Sequence, residues 1–480
     1  MCSGLWRTVV FCLIFSGSTL CQDENVYLST EQATIFEFYP PFIEGLVVGD
    51  QQIVRVSAKS NASILNTVTA DPLLSGAVIR VIPVEEHPDI VLVHHNGSTI
   101  DSSGNISFEF KVEGLFLGRT SLQIVTVELE DDRIISTYPP YPVAVVRPPR
   151  MVDSLFIGLV MTIVMLGNIG MGCKVEIEVV KEVLRKPIAP VIGFLCQFMI
   201  MPLMSFTLLK VFGFSGGIGL GFFATGCSPA GGSSNMYTYL LKGDVSLSVT
   251  MTLISVIASL GMMPLWLMTL GRFIVDERVK IPYGNIFATL AGILIPVGLG
   301  LLIQYKKPTW AKKISRVLRP FFVVLLLVVF TMGVATNLYI FRVISPFLIL
   351  AACLLPYLSF ALASLFAFIC RQPANRILTI AIETAIQNTG LPIILMKLSL
   401  SQPEADLSAV SPVAIACFMP IPLWIAFSVM EIRKRCCAKQ DAELVPAEDL
   451  EDPKIVKNGD TNLEVAANGN MATPAEEAKC

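Results

Sequence analysis

The chain has 480 residues, 53% of them hydrophobic and 15% charged, with a net charge of −3. These proportions exclude a single soluble globular domain, and several apolar runs exceed the roughly 20 residues a helix needs to cross a bilayer, so a polytopic membrane protein is expected. The slightly acidic balance, without a dense basic stripe, argues against a nucleic-acid partner.

At the N-terminus, "MCSGLWRTVVFCLIFSGSTLCQ" sets Arg7 before a short apolar stretch, Val9 to Phe15, followed by small residues. This is the form of a secretory signal, expected to occupy residues 1–21 with cleavage near Cys21; a signal anchor would need a longer apolar run. Residues 22–150 change texture, to runs such as "QQIVRVSA", "ISFEFKVEG" and "TSLQIVTVELE" separated by Gly, Asn, Asp and Pro. Alternation at period two between turn residues predicts the strands of a small β-sandwich-like domain. All three N-x-S/T positions of the chain, Asn61, Asn96 and Asn105, fall inside it. Their clustering predicts a glycosylated, extracellular domain. None of the twelve cysteines lies between Gln22 and Arg150, so this domain is expected to hold without a disulfide, and no CxxC pair points to zinc or redox work.

After "RPPR" come nine apolar segments, at about 152–172, 187–211, 215–242, 244–270, 281–304, 318–338, 341–369, 374–399 and 408–430. The expected architecture is an all-α transmembrane region over 151–432. An odd count with an outside N-terminus places the C-terminus in the cytosol, and the plasma membrane is the expected location. The loops this count puts inside carry Lys174, Lys181, Arg185 and Lys186, then Lys306, Lys307, Lys312, Lys313, Arg316 and Arg319, then Arg371 and Arg376; outside loops carry fewer. The tail, 433–480, begins basic and turns acidic with almost no aromatic content, the composition of a disordered segment. Cys436 and Cys437, next to the last span, are candidates for palmitoylation.

The three histidines, His87, His94 and His95, all precede the spans, and no HExxH is present, so metalloprotease chemistry is excluded. Within the spans one ionisable residue stands out. Glu383, in "IAIETAIQNTGLPIILM", has apolar neighbours for a helical turn on either side, and Gln387 shares its helix face. A buried carboxyl is costly in hydrocarbon and marks a functional site by default; the plainer reading is a neutral carboxyl hydrogen-bonded in the bundle core. No acidic or histidine partner accompanies it in the interior of a span, which argues against an intramembrane enzyme.

Two Gly/Pro interruptions accompany Glu383: Pro229 to Asn235 in the third segment and Asn388 to Pro392 in the eighth. Irregular backbone at membrane depth is tolerated where it is buried in protein or lines a wet cavity, and paired broken spans point to the binding site of a secondary transporter. The available ligands are oxygens: Ser234 and Asn235 at the first break, Ser248 and Thr252 one turn apart in the fourth segment, Gln197 in the second, and Glu383 with Gln387. Taken singly, each Ser or Thr reads as a helix-packing residue. Together they form a hard, oxygen-only set with one negative charge, which suits an alkali cation.

The stretches "IGFLCQFMIMPL", "TGCSPAGGSSNMYTYLLKGDVSLSVTMT" and "ETAIQNTG", found in this order with "GCKVEIEVV" ahead of them, resemble the sodium/bile acid cotransporter family over about Asn168 to Arg433. The resemblance implies a core domain and a panel domain that rock to give alternating access, with the two broken helices crossing in the core. It implies one sodium at Ser234, Asn235, Ser248, Thr252 and Glu383, and a second at Gln197, Glu383, Gln387 and the carbonyls of Thr384 and Ile386. Asn388, with Pro229 and Gly231 of the first break, would face the substrate. Where the family has Pro-Gly-Gly this chain has Pro229-Ala230-Gly231, and alanine takes positive φ less readily than glycine. The β domain is absent from the well-studied bile acid carriers and is similar to the long N-terminal regions of orphan members.

The function expected on these grounds is a sodium-coupled symporter for an amphipathic organic anion, a bile salt or sulfated steroid, with sodium as the co-transported ion and no catalysis. The alternative is a non-transporting receptor or adhesion protein that works through its β domain.

Overall fold

The computed structural model describes residues 36–58, 77–83, 89–100, 106–128, 134–137, 140–274, 283–336 and 338–443. The expected signal, Asn61, Asn105 and the tail beyond 443 lie outside the described residues, as does the side chain of Asn96. The chain divides into two units, Met1–Arg150 and Met151–Cys480.

In the first unit the described strands are β1 (Phe36–Tyr39), β2 (Ile43–Val47), β3 (Gln51–Ala58), β4 (Ala77–Pro83), β5 (Val91–Ile100), β6 (Ile106–Gly114), β7 (Gly118–Glu128), β8 (Ile134–Thr137) and β9 (Tyr141–Val146). They form two sheets, ordered β1-β3-β6-β5 and β2-β9-β7-β4, with β8 also on β7. Only the β2–β9 pairing among them is parallel. The period of two decides which side chains meet: in β3, Val54 and Val56 are buried while Ile53 and Arg55 are exposed. Val54, Val56, Phe108, Phe110 and Val112 of the first sheet share one apolar core with Leu122, Ile124, Tyr141, Val143 and Val145 of the second. The Tyr141 phenol donates to the Pro40 carbonyl at 2.9 Å, and burial pushes its pKa up, so it remains a donor at neutral pH.

The second unit is helical: α1 (Met151–Gly172), α2 (Ile177–Arg185), α3 (Ile188–Leu195), a π turn (Cys196–Ile200), α4 (Met201–Phe212), α5 (Gly216–Gly226), α6 (Ser234–Leu240), α7 (Val245–Thr269), α8 (Tyr283–Lys306), α9 (Pro308–Thr336), α10 (Leu338–Val343), α11 (Pro346–Ile369), α12 (Ala374–Ala385), α13 (Gly390–Ser399), α14 (Glu404–Leu407), α15 (Val410–Phe418) and α16 (Ile421–Glu443). Six stretches of these described residues are long and apolar enough to cross a membrane: 151–172, 188–212, 245–273, 286–306, 346–369 and 404–435. This is a multi-pass membrane protein.

Local sequence sets several boundaries. Asp244 caps α7 by accepting from the Leu247 N–H at 3.0 Å, and Ser345 caps α11 through the Leu348 N–H at 3.2 Å, with Pro346 at the first helical position. Pro202 has no N–H to offer the Phe198 carbonyl, which instead accepts from the Trp266 indole at 2.8 Å; the π turn lies over this gap and presents Gln197 to the interior. Glycines allow close helix approach. The Gly172 and Gly300 backbones meet where α1 crosses α8, so that a Cβ on either would lie 2.9 Å from the other's Cα.

The third and eighth expected segments are broken where their glycines and prolines predicted, and the last segment, expected to be continuous, is divided as well. The third is α5 and α6 with a break at 227–233, and the eighth is α12 and α13 with a break at 386–389. The last, expected as one span over 408–430, divides at Met419-Pro420 into α15 and α16. Segment 318–338 falls within α9 and α10, where many side chains lie outside the described residues.

Candidate cation and substrate site

The two central breaks complete each other's backbone. Leaving the helix frees N–H and C=O groups that hydrocarbon cannot satisfy. Here Gly231 N donates to Ile386 O at 2.8 Å and Asn388 N to Pro229 O at 3.0 Å, a short antiparallel bridge that brings Ala230 opposite Gln387. Ala230 N donates to Ser255 Oγ at 3.3 Å. The concern over alanine's backbone does not arise, because Ala230 is absent from the residues of positive φ. Gly231 is required for a different reason: a Cβ there would lie 2.8 Å from the Gln387 carbonyl oxygen.

Glu383, near the end of α12, is 1% exposed. Its carboxylate accepts from Ser248 Oγ on one oxygen and from Thr252 Oγ1, at 2.8 Å, on the other. Ser234 Oγ also neighbours it and donates to the Gly231 carbonyl at 2.7 Å. Asn235 Oδ1 faces the same two hydroxyls, 2.8 Å from Ser248 and 3.4 Å from Thr252. The structure thus brings Ser234, Asn235, Ser248, Thr252 and Glu383 together from α6, α7 and α12.

Counting protons shows what this cluster can do. Ser248 and Thr252 have one hydroxyl proton each, whereas Asn235 Oδ1 and both Glu383 oxygens converge on them, and Thr252 Oγ1 is also 2.9 Å from the Ser248 carbonyl. Acceptors outnumber donors, and no basic side chain among the described residues engages Glu383. A small hard cation would balance both the charge and the surplus lone pairs. No cluster of three or more His, Cys, Asp or Glu side chains with metal-binding geometry occurs among the described residues.

Gln197 and Gln387 form an adjoining group. Gln197 Nε2 donates to Ser228 O at 2.8 Å and Gln387 Oε1 at 3.0 Å; Ser228 Oγ donates to Gln387 Oε1 at 3.2 Å; Gln387 Nε2 donates to Thr384 O at 2.6 Å. The carbonyls of Thr384 and Ile386 therefore each already accept one protein hydrogen bond, and a second cation would have to use their remaining lone pairs. Gln197 and Glu383 line one small cavity with Phe194, Ala230, Met251 and Ile254. Of the residues expected to face substrate, Pro229 and Gly231 are buried in the crossing; Asn388 is half-buried, and its Oδ1 accepts from the Leu391 N–H of α13 at 3.3 Å.

Several participants escaped the reading of the sequence. Ser228 and Ser255 are buried and hold the breaks in place, although either is an ordinary helix-packing serine by composition. Asp244 joins α7 to α12 twice, through Arg376 Nε at 3.2 Å and through its own N–H to Thr379 Oγ1 at 2.8 Å. Lys397 and Asp406 make a buried ion pair between α13 and α14. Acid-base spacing in a connecting segment gave no sign of that burial.

Comparison with known proteins assigns this framework. Residues 158–343 match the model of the Sodium Bile acid symporter family. The chain is 34% identical over 298 residues to the "Ileal sodium/bile acid cotransporter" of Oryctolagus cuniculus, covering 62% of this chain and 86% of that protein. It is 29% identical over 304 residues to "Sodium/bile acid cotransporter 5" of Mus musculus, covering 63% and 70%. The "P3 protein" of Homo sapiens is 27% identical over 415 residues, 83% of this chain and 84% of that protein, a match longer than Met151–Cys480 and so reaching into the β unit. With most of the length of an ileal cotransporter matched, the chain belongs to the sodium bile acid symporter family, a family of transporters and not of enzymes.

Proposed function

We propose that the protein is a sodium-coupled symporter that takes up an amphipathic organic anion, of the bile salt or sulfated steroid class, by alternating access at the plasma membrane. The observation that carries this reading is Glu383: a buried carboxylate without a basic partner, facing the oxygens of Asn235, Ser248 and Thr252 beside two interlocked helix breaks. A sodium ion bound there supplies the missing positive charge, and a second takes the remaining lone pairs of the Thr384 and Ile386 carbonyls, with Gln197 and Gln387 turning their side-chain oxygens to it. The half-buried Asn388 forms the polar edge against which the anion docks, with Pro229 and Gly231 behind it in the crossing. Relatives whose names state sodium and bile acid cotransport support the choice of ion and substrate class.

In this reading the membrane region has nine spans, counting the two broken helices and α9, with an extracellular, N-glycosylated β-sandwich-like domain ahead of it and a cytoplasmic tail behind. Inward sodium movement is driven partly by the membrane potential, worth about 2.3 kcal/mol per charge per 100 mV. The test is uptake of labelled bile salts and steroid sulfates by cells expressing the protein, in sodium and in choline. Sodium-dependent uptake that Glu383→Gln removes at equal surface amounts is the expected result. Absence of any sodium-dependent flux would favour instead a receptor or adhesion protein acting through its β unit.

A further inference from the structure

The last membrane segment carries an interruption of its own, and it reaches the cation site. Pro420 and Pro422 have no N–H, so the carbonyls of Ala416 and Phe418 lose the donors a continuous helix would give them. α15 ends at Phe418 and α16 begins at Ile421. The Phe418 carbonyl is satisfied from outside, by the Tyr357 hydroxyl of α11 at 3.0 Å. The next residue, Met419, is 8% exposed, and its Sδ accepts from the backbone N–H of Gln387 at 3.1 Å.

That N–H lies in the second break, where no helix partner remains for it. Every other polar group of Gln387 is held by protein: Oε1 by Gln197 and Ser228, Nε2 by Thr384 O, and the carbonyl by the Thr389 N–H. The hydrogen bond that joins Gln387 to the last segment thus ends on a thioether. Sulfur is a weak acceptor, strong enough to orient a buried N–H and weak enough to be exchanged. Leucine would fill the same volume without accepting a hydrogen bond.

We propose that Met419 is a positioning residue for cation binding: through Gln387 N–H···Sδ it sets the second break, so that the kink of the last segment and the cation-binding crossing move together. This rests on the sodium-symporter reading. The test is thermal unfolding of the purified full-length protein, with sodium chloride replacing choline chloride at constant ionic strength. For the unsubstituted protein the melting temperature rises with sodium. Met419→Leu is expected to raise the half-saturating sodium concentration by roughly threefold or more, beyond the fall in melting temperature in choline alone that the loss of the same buried acceptor brings. Met419→Gln, of similar volume and with an oxygen acceptor, should bring the midpoint back to that of the unsubstituted protein or below.

An unchanged midpoint in Met419→Leu overturns the proposal, as does a Met419→Gln midpoint displaced as far as the leucine variant's. If Met419→Leu does not fold, Met419→Gln decides alone, and a midpoint roughly threefold or more above that of the unsubstituted protein overturns the proposal. A protein that shows no sodium response before any substitution refutes the symporter reading as well, so the two failures are distinct.

Discussion

At the scale of single residues, Ala230 and Gly231 stand side by side in the first break with opposite tolerances. Ala230 avoids positive φ, so Ala230→Gly removes a buried methyl and adds chain entropy, costing about 1 kcal/mol with the crossing intact. Gly231→Ala drives a Cβ toward the Gln387 carbonyl, 2.8 Å away, and the bridge must part to admit it. A loss of about 1–3 kcal/mol is expected, together with a weakened sodium response. Thermal unfolding of the two variants with and without sodium separates the cases; equal effects would contradict the close approach. Glu383 differs from both, since its neutral isostere keeps the volume and loses the charge, with one carboxylate acceptor replaced by an NH2 that a neighbouring hydroxyl can accept from. Glu383→Gln is therefore expected to leave a folded protein whose melting temperature no longer depends on sodium.

At the scale of elements, the sodium-facing side chains depend on how α7 and α12 are held against one another. Asp244 caps α7, pairs with Arg376 and donates its N–H to Thr379, one helical turn from Ser248 on α7 and from Glu383 on α12. Asp244→Ala removes cap and ion pair together and should destabilise by about 1–2 kcal/mol. Arg376→Ala removes only a partly exposed pair, 38% and 21% exposed, and should cost less than about 1 kcal/mol. Chemical unfolding of both variants measures the difference, and an equal loss for Arg376→Ala would show that the ion pair rather than the cap fixes α7. The proline pair of the last segment works in the opposite direction, by taking donors away. Tyr357→Phe leaves the Phe418 carbonyl without its partner, at a cost of about 1 kcal/mol.

At the scale of the whole molecule, each unit is built around apolar clusters of its own residues, one in the sheets and three in the helices among the described residues. A chain lacking residues 22–150 is accordingly expected to keep its half-saturating sodium concentration within about twofold, the ordinary limit of coupling between independent sites. Titration of the truncated protein checks this, and a larger displacement would mean that the β unit acts on the cation site. Membrane character, the helical unit and the strands before it were legible because hydropathy and period record what each segment faces. The two central breaks were legible from glycine and proline, and Glu383 from its isolation among apolar neighbours. The third interruption was not, because "FMPIPLW" keeps the apolar composition of a span.

The sequence alone determined that a carboxylate and a set of neutral oxygens lie within apolar segments, since that follows from residue type and local spacing. Which oxygens meet was decided only by the tertiary structure. Ser248 and Glu383 are 135 positions apart, and Gln197 and Gln387 are 190 apart. Hydrogen bonds of this kind are selected by where helix ends expose unpaired backbone, and the partner that satisfies a freed N–H, whether the Ile386 carbonyl or the Met419 sulfur, is fixed by packing and not by sequence distance.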